Sequence, residues 1–133
     1  MRFTNKTVFI TGAAGGIGRQ TGLSFAKEGA NVAVSDLDFD MASRVAKEIK
    51  SAGGNAEPFK LDVTNQNETI ENMKNAYEHF GSLDIAFCNA GIREIVSPLE
   101  LSIEEWRKVI DINVTGVFIT CLLYTSDAAD EGL

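Results

Sequence analysis

A glycine-rich segment between an apolar run and an amphipathic stretch constrains this chain most strongly. Residues 11–18 read TGAAGGIG, after the apolar run 8–10 and before a helical pattern over 19–27. The N-terminus of a helix presents unpaired backbone N–H groups and the positive end of the helix dipole, so it can hold a pyrophosphate without a basic side chain. Glycine lets the backbone approach such a ligand closely. The segment therefore predicts a phosphate-binding turn.

The spacing of the glycines separates this segment from two common phosphate loops. Gly12, Gly16 and Gly18 follow a G-x-x-x-G-x-G pattern, whereas the common dinucleotide fingerprint is G-x-G-x-x-G. A P-loop requires Lys and then Ser or Thr after its last glycine, but Arg19 and Gln20 follow Gly18. The chain is therefore not predicted to be a P-loop nucleotide triphosphatase.

The segment resembles the cofactor loop of the short-chain dehydrogenase/reductase family, whose pattern is T-G-x-x-x-G-(I/L)-G. Glycine clusters also form plain turns, so this match needs independent support from the rest of the chain. The resemblance implies that the loop binds a nicotinamide dinucleotide. The cofactor-binding residues predicted in it are Thr11, Gly12, Gly15, Gly16, Ile17 and Gly18.

An acidic residue ends the next strand candidate. The run 31–35 is followed by Asp36, about where a ribose-binding acid belongs. A carboxylate there accepts both adenosine ribose hydroxyls and repels the extra phosphate of NADP. Neither Leu37 nor Ala14 is basic, although NADP-using members of the family often carry a base at these positions. We predict NAD in preference to NADP, with Asp36 and Leu37 at the site; the alternative is that Asp36 is a helix N-cap or a loop acid.

Composition and charge restrict the class of protein. The chain has 133 residues, of which 44% are hydrophobic and 23% charged, as expected of one soluble globular domain. We find no apolar stretch of membrane-spanning length and no signal-peptide core at the start, and we predict a cytoplasmic protein without membrane association. The spacing of Cys88, Cys121 and His79 predicts no metal site. A formal charge of −7 argues against nucleic acid as a partner.

Hydrophobic periodicity predicts alternating strands and helices. The strand candidates are 7–10, 32–35, 56–61 and 83–88. Between them we predict a first helix that carries Ile17 and stops near Gly29, a second from about 39 to 52 and a third from about 66 to 79. Such alternation predicts a Rossmann-type, doubly wound α/β fold with parallel strands in the order 3-2-1-4, truncated after the following helix. The residues expected on the buried helix faces are Ile17, Leu23, Phe25 and Ala26, then Met41, Ala42, Val45 and Ile49, then Ile70, Met73, Ala76 and Tyr77.

Two further motifs follow predicted strands, at the edge where such folds bind ligands. Asp62 and Val63 resemble the family's Asp-Val pair that meets the adenine ring. Asn89, Ala90 and Gly91 match its N-A-G signature, which packs beside the cofactor and steadies the sheet. Taken alone, both motifs are also compatible with ordinary turns.

The helix after this turn carries Asn113. Ser102 and Glu105 form a capping box that specifies the helix start, and the apolar residues Ile103, Trp106, Ile110, Val114, Val117 and Phe118 recur at helical spacing. Asn113 falls on or beside that stripe, so its amide must have partners. Residues 111–116 resemble the family helix whose Asn holds a water in the proton relay, which implies that Asn113 is catalytic. The alternative is a buried Asn satisfied by backbone groups.

The family's remaining catalytic residues are not in these 133 residues. The resemblance requires a Ser and a Tyr-x-x-x-Lys pair, in which lysine lowers the pKa of the tyrosine. Gly81 and Ala128 lie four positions after Tyr77 and Tyr124, and the last lysine is Lys108. We therefore expect this fragment to be inactive.

The C-terminal segment resembles a foreign sequence. Residues 121–131 read CLLYTSDAADE, which resembles one reading frame of a transposase adapter used in DNA library preparation. We therefore divide the chain into an incomplete NAD(P)-binding Rossmann domain, 1–120, and a non-native tail, 121–133. Without the tail the net charge is −4. A natural frayed helix end is the alternative, and the codons of the source DNA distinguish the two.

Two functions from different classes fit these patterns. The first is the N-terminal, cofactor-binding part of an NAD-dependent oxidoreductase that moves hydride between nicotinamide and a small-molecule alcohol or ketone, and the resemblance implies that its parent protein is a homo-oligomer. The second is a catalytically silent NAD(H)-binding sensor or scaffold module. Asn113 favours the enzyme, because a pure binding module needs no relay amide.

Overall fold

The computed structural model describes residues 1–129, and the side chains of residues 1–126. Strands and helices alternate up to the fourth strand, after which two helices are joined by a π-helical turn. The strands are β1 Thr7–Thr11, β2 Asn31–Asp36, β3 Asn55–Lys60 and β4 Ile85–Phe87. The helices are α1 Gly16–Lys27, α2 Phe39–Ser51, α3 Gln66–Phe80, α4 Ile103–Ile110 and α5 Gly116–Ala129, with the π-helical turn at Asp111–Thr115.

The four strands form one parallel sheet in the order β3-β2-β1-β4. Val8 of β1 lies beside Val32 of β2 on one side and Ile85 of β4 on the other. This confirms the predicted 3-2-1-4 order and the truncated Rossmann-type fold. Because all strands run in the same direction, the loops that follow β1, β2, β3 and β4 meet at one edge of the sheet.

Helices cover both faces of the sheet and create two hydrophobic cores. Alternate residues of β1 point to opposite faces, so Val8 and Ile10 join one core whereas Phe9 joins the other. Burial on both faces explains why the central strands read as continuous apolar runs rather than alternating ones. The first core also contains Val32, Val34, Ala42, Val45, Ala46 and Ile49, and the second contains Ala33, Leu61, Val63, Met73 and Ala76.

Helix α2 buries a slightly different face from the one predicted. Ala42, Val45 and Ile49 are buried as expected, but Met41 is 39% exposed and Ala46 is buried instead. The buried positions follow the i, i+3, i+4, i+7 spacing of a single helical stripe, and Met41 lies beside that stripe. The helix begins at the N-cap Asp38, whose carboxylate accepts a hydrogen bond from the Met41 amide at 3.0 Å.

Helix α3 likewise contacts the sheet through a narrower stripe than predicted. Met73 and Ala76 are buried as expected, whereas Ile70 and Tyr77 are 37% and 40% exposed. Thr69 is buried in their place, because its hydroxyl donates a hydrogen bond to the Asn65 carbonyl at 2.9 Å. The helix ends at Phe80, just before Gly81, where the prediction placed its end.

Helix α1 contains the residues predicted for it and differs only in the exposure of Ile17. It begins at Gly16, so that it contains Ile17 as predicted, and it ends at Lys27, close to Gly29. Leu23, Phe25 and Ala26 are partly buried against the first core as expected. Ile17 was expected on the same face but is 73% exposed, because it lies at the ligand edge of the sheet.

A polar cluster fastens the opposite edge of the sheet, where β1 and β4 begin. Asp84 accepts hydrogen bonds from the Lys6 ammonium at 2.9 Å, the Thr7 amide at 2.8 Å and the Ser82 hydroxyl at 2.8 Å. Burial raises the pKa of Asp84, but these three donors outweigh it, so the pKa is lowered from its ordinary value. The cluster ties the outer strand β4 to the centre of the sheet.

The last helical segment begins at the predicted capping box. The Ser102 hydroxyl accepts from the Glu105 amide at 3.2 Å, and the Glu105 carboxylate accepts from the Ser102 amide at 2.8 Å. These hydrogen bonds lower the pKa of Glu105. The expected apolar stripe is largely exposed, however: Trp106 is 53% and Phe118 62% exposed, and Ile103 and Val114 are exposed as well.

This helical segment also qualifies one expectation from composition. Ile103–Ser126 is long and apolar enough to cross a membrane by length and composition, with a mean hydropathy of 1.5 in its most apolar part. The absence of such a stretch was expected, and for this helix that expectation was wrong. Length and composition alone are weak evidence for membrane insertion, because the core helix of a soluble protein or a signal sequence can also meet both criteria. Absence of membrane association therefore stays a prediction.

Helix α5 crosses the predicted domain boundary at residue 120 without a break, since it runs from Gly116 to Ala129. Secondary structure therefore does not mark where a foreign tail would begin. Residues 130–133 of the predicted tail lie outside the described residues. The division into 1–120 and 121–133 stays a prediction that the source DNA would test.

Candidate functional site

The glycine-rich turn lies where β1 passes into α1, and three of its glycines are required by geometry. Gly12 has a φ of +64°, and a Cβ on it would lie 2.8 Å from the Cα of Ala90. A Cβ on Gly18 would lie 2.2 Å from the Gly12 carbonyl oxygen. Gly16, the first residue of α1, has a φ of +51°. No larger residue fits at positions 12 and 18 without moving backbone atoms.

The N-terminus of α1 is open to a ligand. Its N-cap is Gly15, which has no side chain to bond the first amides, and a Cβ on Gly15 would meet no atom within 4 Å. The first turn carries no acidic residue. Helix amides and the helix dipole at such a terminus attract an anion. The turn therefore has the geometry of a phosphate cradle.

Thr11 and Asn89 connect the ends of β1 and β4 directly below this cradle. The Thr11 hydroxyl accepts hydrogen bonds from the Asn89 and Ala90 amides, both at 3.0 Å. The Asn89 side chain donates to the carbonyls of Thr11 at 3.1 Å and Gly12 at 3.0 Å. Thr11 is buried, so it shapes the site from beneath rather than lining it.

Asp36 lies at the end of β2, with its carboxylate facing the glycine turn. One oxygen accepts from the Ala14 amide at 3.0 Å, and the other accepts from the Asp38 amide at 3.0 Å. Asp38, rather than Asp36, is the N-cap of α2, which rules out one of the two alternative roles considered for Asp36. The carboxylate keeps lone pairs available for a ligand, since each oxygen can accept more than one hydrogen bond.

Asp62 and Val63 follow β3 at the same edge. One Asp62 oxygen accepts from the Thr64 amide at 2.9 Å and the Thr64 hydroxyl at 2.7 Å, which fixes the turn. Val63 is buried against the start of α5, where a Cβ on Gly116 would lie 2.7 Å from Cγ2 of Val63. The turn therefore presents a carboxylate to the cleft and anchors itself through the valine.

Two adjoining cavities, of about 270 and 860 Å³, form a cleft along this edge. Of the predicted cofactor-binding residues, Thr11 and Gly18 lie in neither wall. Both cavities are lined by Gly12, Asp36, Ala90, Gly91 and Ile92. The smaller is also lined by Leu37, Leu61, Asp62, Val63 and Ile112, and the larger by Gly15, Gly16, Ile17, Asn89, Arg93 and Asn113.

Asn113 lies in the π-helical turn and is exposed at the wall of the larger cavity. Its side-chain oxygen accepts from the Ile92 amide at 2.8 Å, and its nitrogen donates to the Ile92 carbonyl at 2.7 Å. The side-chain amide therefore has hydrogen-bond partners, as predicted, but it is not buried. π-helical turns recur at functional sites because the extra residue changes the direction of neighbouring side chains.

Sequence reasoning did not identify Leu61, Ile92 or Ile112 as cleft residues. The single sequence signal that could have identified Ile92 is its position directly after the N-A-G motif. Leu61 and Ile112 carried no signal beyond apolar character. Their place in the cleft depends on the packing of the last helical segment against the ends of the strands, which a local pattern does not encode.

The chemistry of the remaining polar groups is limited within the described part of the chain. Burial, together with the Cys121 thiol 3.5 Å away, raises the pKa of the Cys88 thiol to about 12. Cys88 therefore stays protonated at neutral pH and is a poor nucleophile. Among the side chains of residues 1–126, no group of three or more His, Cys, Asp or Glu gathers to hold a metal ion.

The glycine turn and the acidic residue fit a nicotinamide dinucleotide in this cleft. Gly12 and Gly18 let the turn pack directly against backbone, and Gly15 and Gly16 leave the first amides of α1 open to an anion such as a pyrophosphate. Asp36 stands at the end of the next strand, the position of a ribose-binding acid in dinucleotide-binding sheets.

Comparison with known proteins points to the same chemistry. The short-chain dehydrogenase family model matches residues 6–131. Cyclohexanol dehydrogenase of Acinetobacter sp. (strain SE19) is 43% identical over 118 residues, which are 88% of this chain and 47% of that enzyme. Glucose 1-dehydrogenase 2 of Bacillus subtilis (strain 168) is 38% identical over 118 residues, which are 87% of this chain and 46% of that enzyme. The chain thus spans about half the length of the curated relatives that it matches.

A solved structure shows the same fold. A short-chain type dehydrogenase/reductase from Mycobacterium marinum superimposes with a TM-score of 0.93 at 38% sequence identity, over 98% of this chain and 53% of that one. This superposition agrees with the truncated Rossmann-type fold described above. The chain belongs to the short-chain dehydrogenase/reductase family of oxidoreductases.

Proposed function

We propose that this chain is the N-terminal, cofactor-binding part of an NAD-dependent oxidoreductase that transfers hydride between nicotinamide and an alcohol or ketone. The observation that carries the proposal is the open N-terminus of α1, where Gly15 and Gly16 line the larger cavity and a Cβ on either would meet no atom within 4 Å. The turn therefore leaves room for a ligand at this terminus, while Gly12 and Gly18 allow it to pack directly against backbone atoms.

Different residues of the cleft bind different parts of the dinucleotide. The amides at the start of α1 hold the pyrophosphate, and Asp36 accepts hydrogen bonds from the adenosine ribose. Asp62 and Val63 bind the adenine ring, with the free Asp62 oxygen accepting from its amino group. Leu37 and Ile112 provide apolar walls of the smaller cavity. When bound, the nicotinamide ring supplies or accepts the hydride.

The preference for NAD rests on charge. Asp36 places a carboxylate where NADP carries an additional phosphate, and Leu37 and Ala14 provide no compensating cation. Two like charges held side by side disfavour binding by several kcal/mol in protein interfaces. The Asp36 carboxylate is also held in place by the Ala14 and Asp38 amides, so it cannot easily turn away.

The substrate belongs to the class of small alcohols and ketones. The relatives are named for cyclohexanol and glucose, both of which carry secondary alcohols. Asn113, at the wall of the larger cavity, is the residue of the described chain that we assign to the proton relay. The relay also needs the Ser and the Tyr-x-x-x-Lys pair of the complete protein, so the 133 residues alone bind cofactor without turnover.

The parent protein associates with itself through the helix that begins at Ser102. Ile103, Trp106, Val114 and Phe118 expose apolar surface along this helix, and such surface is covered in stable proteins. The formal charge of −7 disfavours nucleic acid. A cytoplasmic location is consistent with these features.

A titration with reduced cofactors tests the proposal. We expect NADH to bind the purified chain, measured by nicotinamide fluorescence, and NADPH to bind about tenfold or more weakly. The substitution Asp36→Asn should narrow this difference, because it removes the charge. Asp40→Asn is the matched control, since Asp40 is an exposed acid on the first turn of α2. Equal affinities for NADH and NADPH in the unmodified chain would contradict the predicted preference, and no binding of either would contradict the function.

A further inference from the structure

The thiols of Cys88 and Cys121 lie against each other beside the cleft, with their sulfur atoms 3.5 Å apart. Cys88 directly follows β4 and is half-buried, whereas Cys121 is exposed on α5. Both are free thiols, and they are the two cysteines of the 133 residues. The pair has no part in the proposed hydride transfer.

A disulfide bond between these two residues requires only a small movement. Such a bond is about 2.05 Å long, so the two sulfur atoms need to approach by about 1.5 Å. The elements that carry them are already fastened side by side, because the Tyr124 hydroxyl of α5 donates a hydrogen bond to the Asp84 carbonyl just before β4. The exposed side chain of Cys121 is free to rotate toward Cys88.

The bond would close a loop that carries one wall of the cleft. The two cysteines are 33 positions apart, and residues 89–93, 112 and 113 of the intervening segment line the two cavities. From residue 89 to residue 115 no residue is buried, and α4 accordingly buries none of its side chains. This wall is therefore weakly attached to the core between its ends, and the cysteines lie at those ends.

From this geometry we propose that Cys88 and Cys121 form a modification site, at which exchange with a small-molecule disulfide such as oxidised glutathione makes a reversible intramolecular disulfide and closes the loop 88–121. The reaction requires no bound cofactor. Cys121 is the first residue of the predicted foreign tail, so the parent protein shares this site only if its own residue 121 is a cysteine.

The reaction consists of two thiol–disulfide exchanges. The exposed Cys121 sulfur, as a thiolate, attacks one sulfur of oxidised glutathione, which leaves a mixed disulfide on Cys121 and releases one glutathione thiolate. Cys88 then gives up its proton to water, and its sulfur attacks Sγ of Cys121 and releases the second glutathione thiolate. Two protein thiols are thereby oxidised, and one glutathione disulfide is reduced to two thiols.

The surroundings of the two sulfur atoms set the order of these steps. Burial, followed by the hydrogen bond and the charge of the Cys121 sulfur, raises the pKa of the Cys88 thiol to about 12. Cys88 is therefore the poorer first nucleophile. A mixed disulfide on Cys121 removes the second and third of these causes, because that sulfur then carries neither a proton nor a charge. Cys88 thus becomes more reactive once its target sulfur is in place.

Oxidation of the purified chain tests the site. The dilute chain is incubated with oxidised glutathione, its remaining thiols are counted in denaturant and its mass is measured. We expect both thiols to disappear without a gain of glutathione mass, and dithiothreitol to restore them. Cys88→Ala should stop at the mixed disulfide on Cys121.

A matched control exchanges two neighbouring residues of α5. Cys121→Leu combined with Leu122→Cys keeps the composition and leaves the thiol at an exposed position, but it moves the thiol about 100° around the helix. This variant should form at least about tenfold less intramolecular disulfide, because the two sulfur atoms no longer meet. If it does not fold, Cys88→Ala serves as the control.

A second measurement tests whether the bond closes the wall. In the oxidised chain, backbone amides of residues 103–115 should exchange with solvent about tenfold more slowly than in the reduced chain. The midpoint of thermal unfolding should rise by about 5 °C or more. Cys88→Ala treated with oxidised glutathione controls for the reagent, since it carries glutathione without the cross-link.

The outcomes decide both parts of the proposal. Mixed disulfides as the final product, or disulfides that link two copies of the chain, would overturn the modification site, and so would equal disulfide formation in the exchanged variant. Unchanged amide exchange over residues 103–115 in the cross-linked chain would overturn the closure of the wall. Because none of these measurements involves NADH, failure of the proposed function would leave them unaffected.

Discussion

The side chains of Thr11 and Asn89 each form a hydrogen bond with the backbone of the other residue. Thr11 accepts the Asn89 amide at 3.0 Å, and Asn89 returns a hydrogen bond to the Thr11 carbonyl at 3.1 Å. This exchange joins the ends of β1 and β4, between which the parallel ladder covers only three residue pairs. Side chains thus replace strand pairing at the point where the sheet opens into the cleft.

Replacing the Thr11 hydroxyl should therefore weaken both fold and site. Thr11→Val keeps the shape but leaves the Asn89 and Ala90 amides without their acceptor. An unpaired buried donor costs about 1–3 kcal/mol, so we expect a loss of that order in the free energy of unfolding, measured with urea. Thr11→Ser should retain most of the stability. Thr115→Val, at an exposed position, is the matched control, and equal losses in Thr11→Val and Thr115→Val would count against the account.

Acid should destabilise the protein through Asp84. The pKa of Asp84 is lowered in the folded protein, so its stabilising contribution is complete above the ordinary value of 3.8 and is lost as the pH falls below it. In Asp84→Asn the free energy of unfolding should be lower at pH 7 and should vary less below pH 4. Denaturant unfolding at several pH values measures both effects, with Asp40→Asn as control. If the free energy of unfolding of Asp84→Asn fell below pH 4 with the same slope as that of the unmodified protein, this assignment would be wrong.

The contact between Val63 and Gly116 links the turn after β3 to helix α5. Gly116→Ala places a methyl group 2.7 Å from the valine side chain, and overpacking of this kind costs about 1–3 kcal/mol. Val63→Ala should relieve the collision, so the double variant should be more stable than the sum of the two single effects predicts. Thermal and urea unfolding of the four proteins measure the coupling. Additive losses would show that the two residues do not press on each other.

The purified chain should not oxidise secondary alcohols. Tyr77 and Tyr124 are the two tyrosines among the 133 residues, and neither has a lysine four positions later. Without that acid/base pair, hydride transfer lacks a path for the hydroxyl proton. We expect no increase in absorbance at 340 nm above the rate without protein when cyclohexanol and NAD are supplied. Turnover that copurifies with the chain and disappears in Asp36→Asn would contradict this expectation.

The sheet could be predicted from sequence because its determinants are local and repeated. Strands β1, β2 and β4 contain short apolar runs. Asp36, Asp62 and Asn89 lie at or just after strand ends, which a parallel sheet brings together at one edge. Strand ends moved by one or two residues: β4, predicted over 83–88, is Ile85–Phe87. That strand forms ladder pairs with β1 alone, so packing rather than sequence sets its length.

Helix faces were harder to predict because burial depends on which stripe meets the sheet. Met41 and Tyr77 are apolar enough for a core, yet each lies about one position from the buried stripe. The π-helical turn at Asp111–Thr115 has no pattern of its own in the sequence. The turn could therefore not be predicted from the sequence. The contact between Asn113 and Ile92 was not predicted either, because the two residues are 21 positions apart.

The most direct test of a dinucleotide-binding cleft is an NMR titration of the isotopically labelled chain with NAD. We predict that the largest changes in amide chemical shift fall on residues 12–18, on Asp36 and on Asp62, with smaller changes at Ile92. Gly12→Ala, which introduces a collision with Ala90, should abolish them. Gly53→Ala is the control, since Gly53 also has a positive φ of +86° but lies in open space. Shifts that are absent, or that are spread over surfaces away from the cleft, would contradict the account.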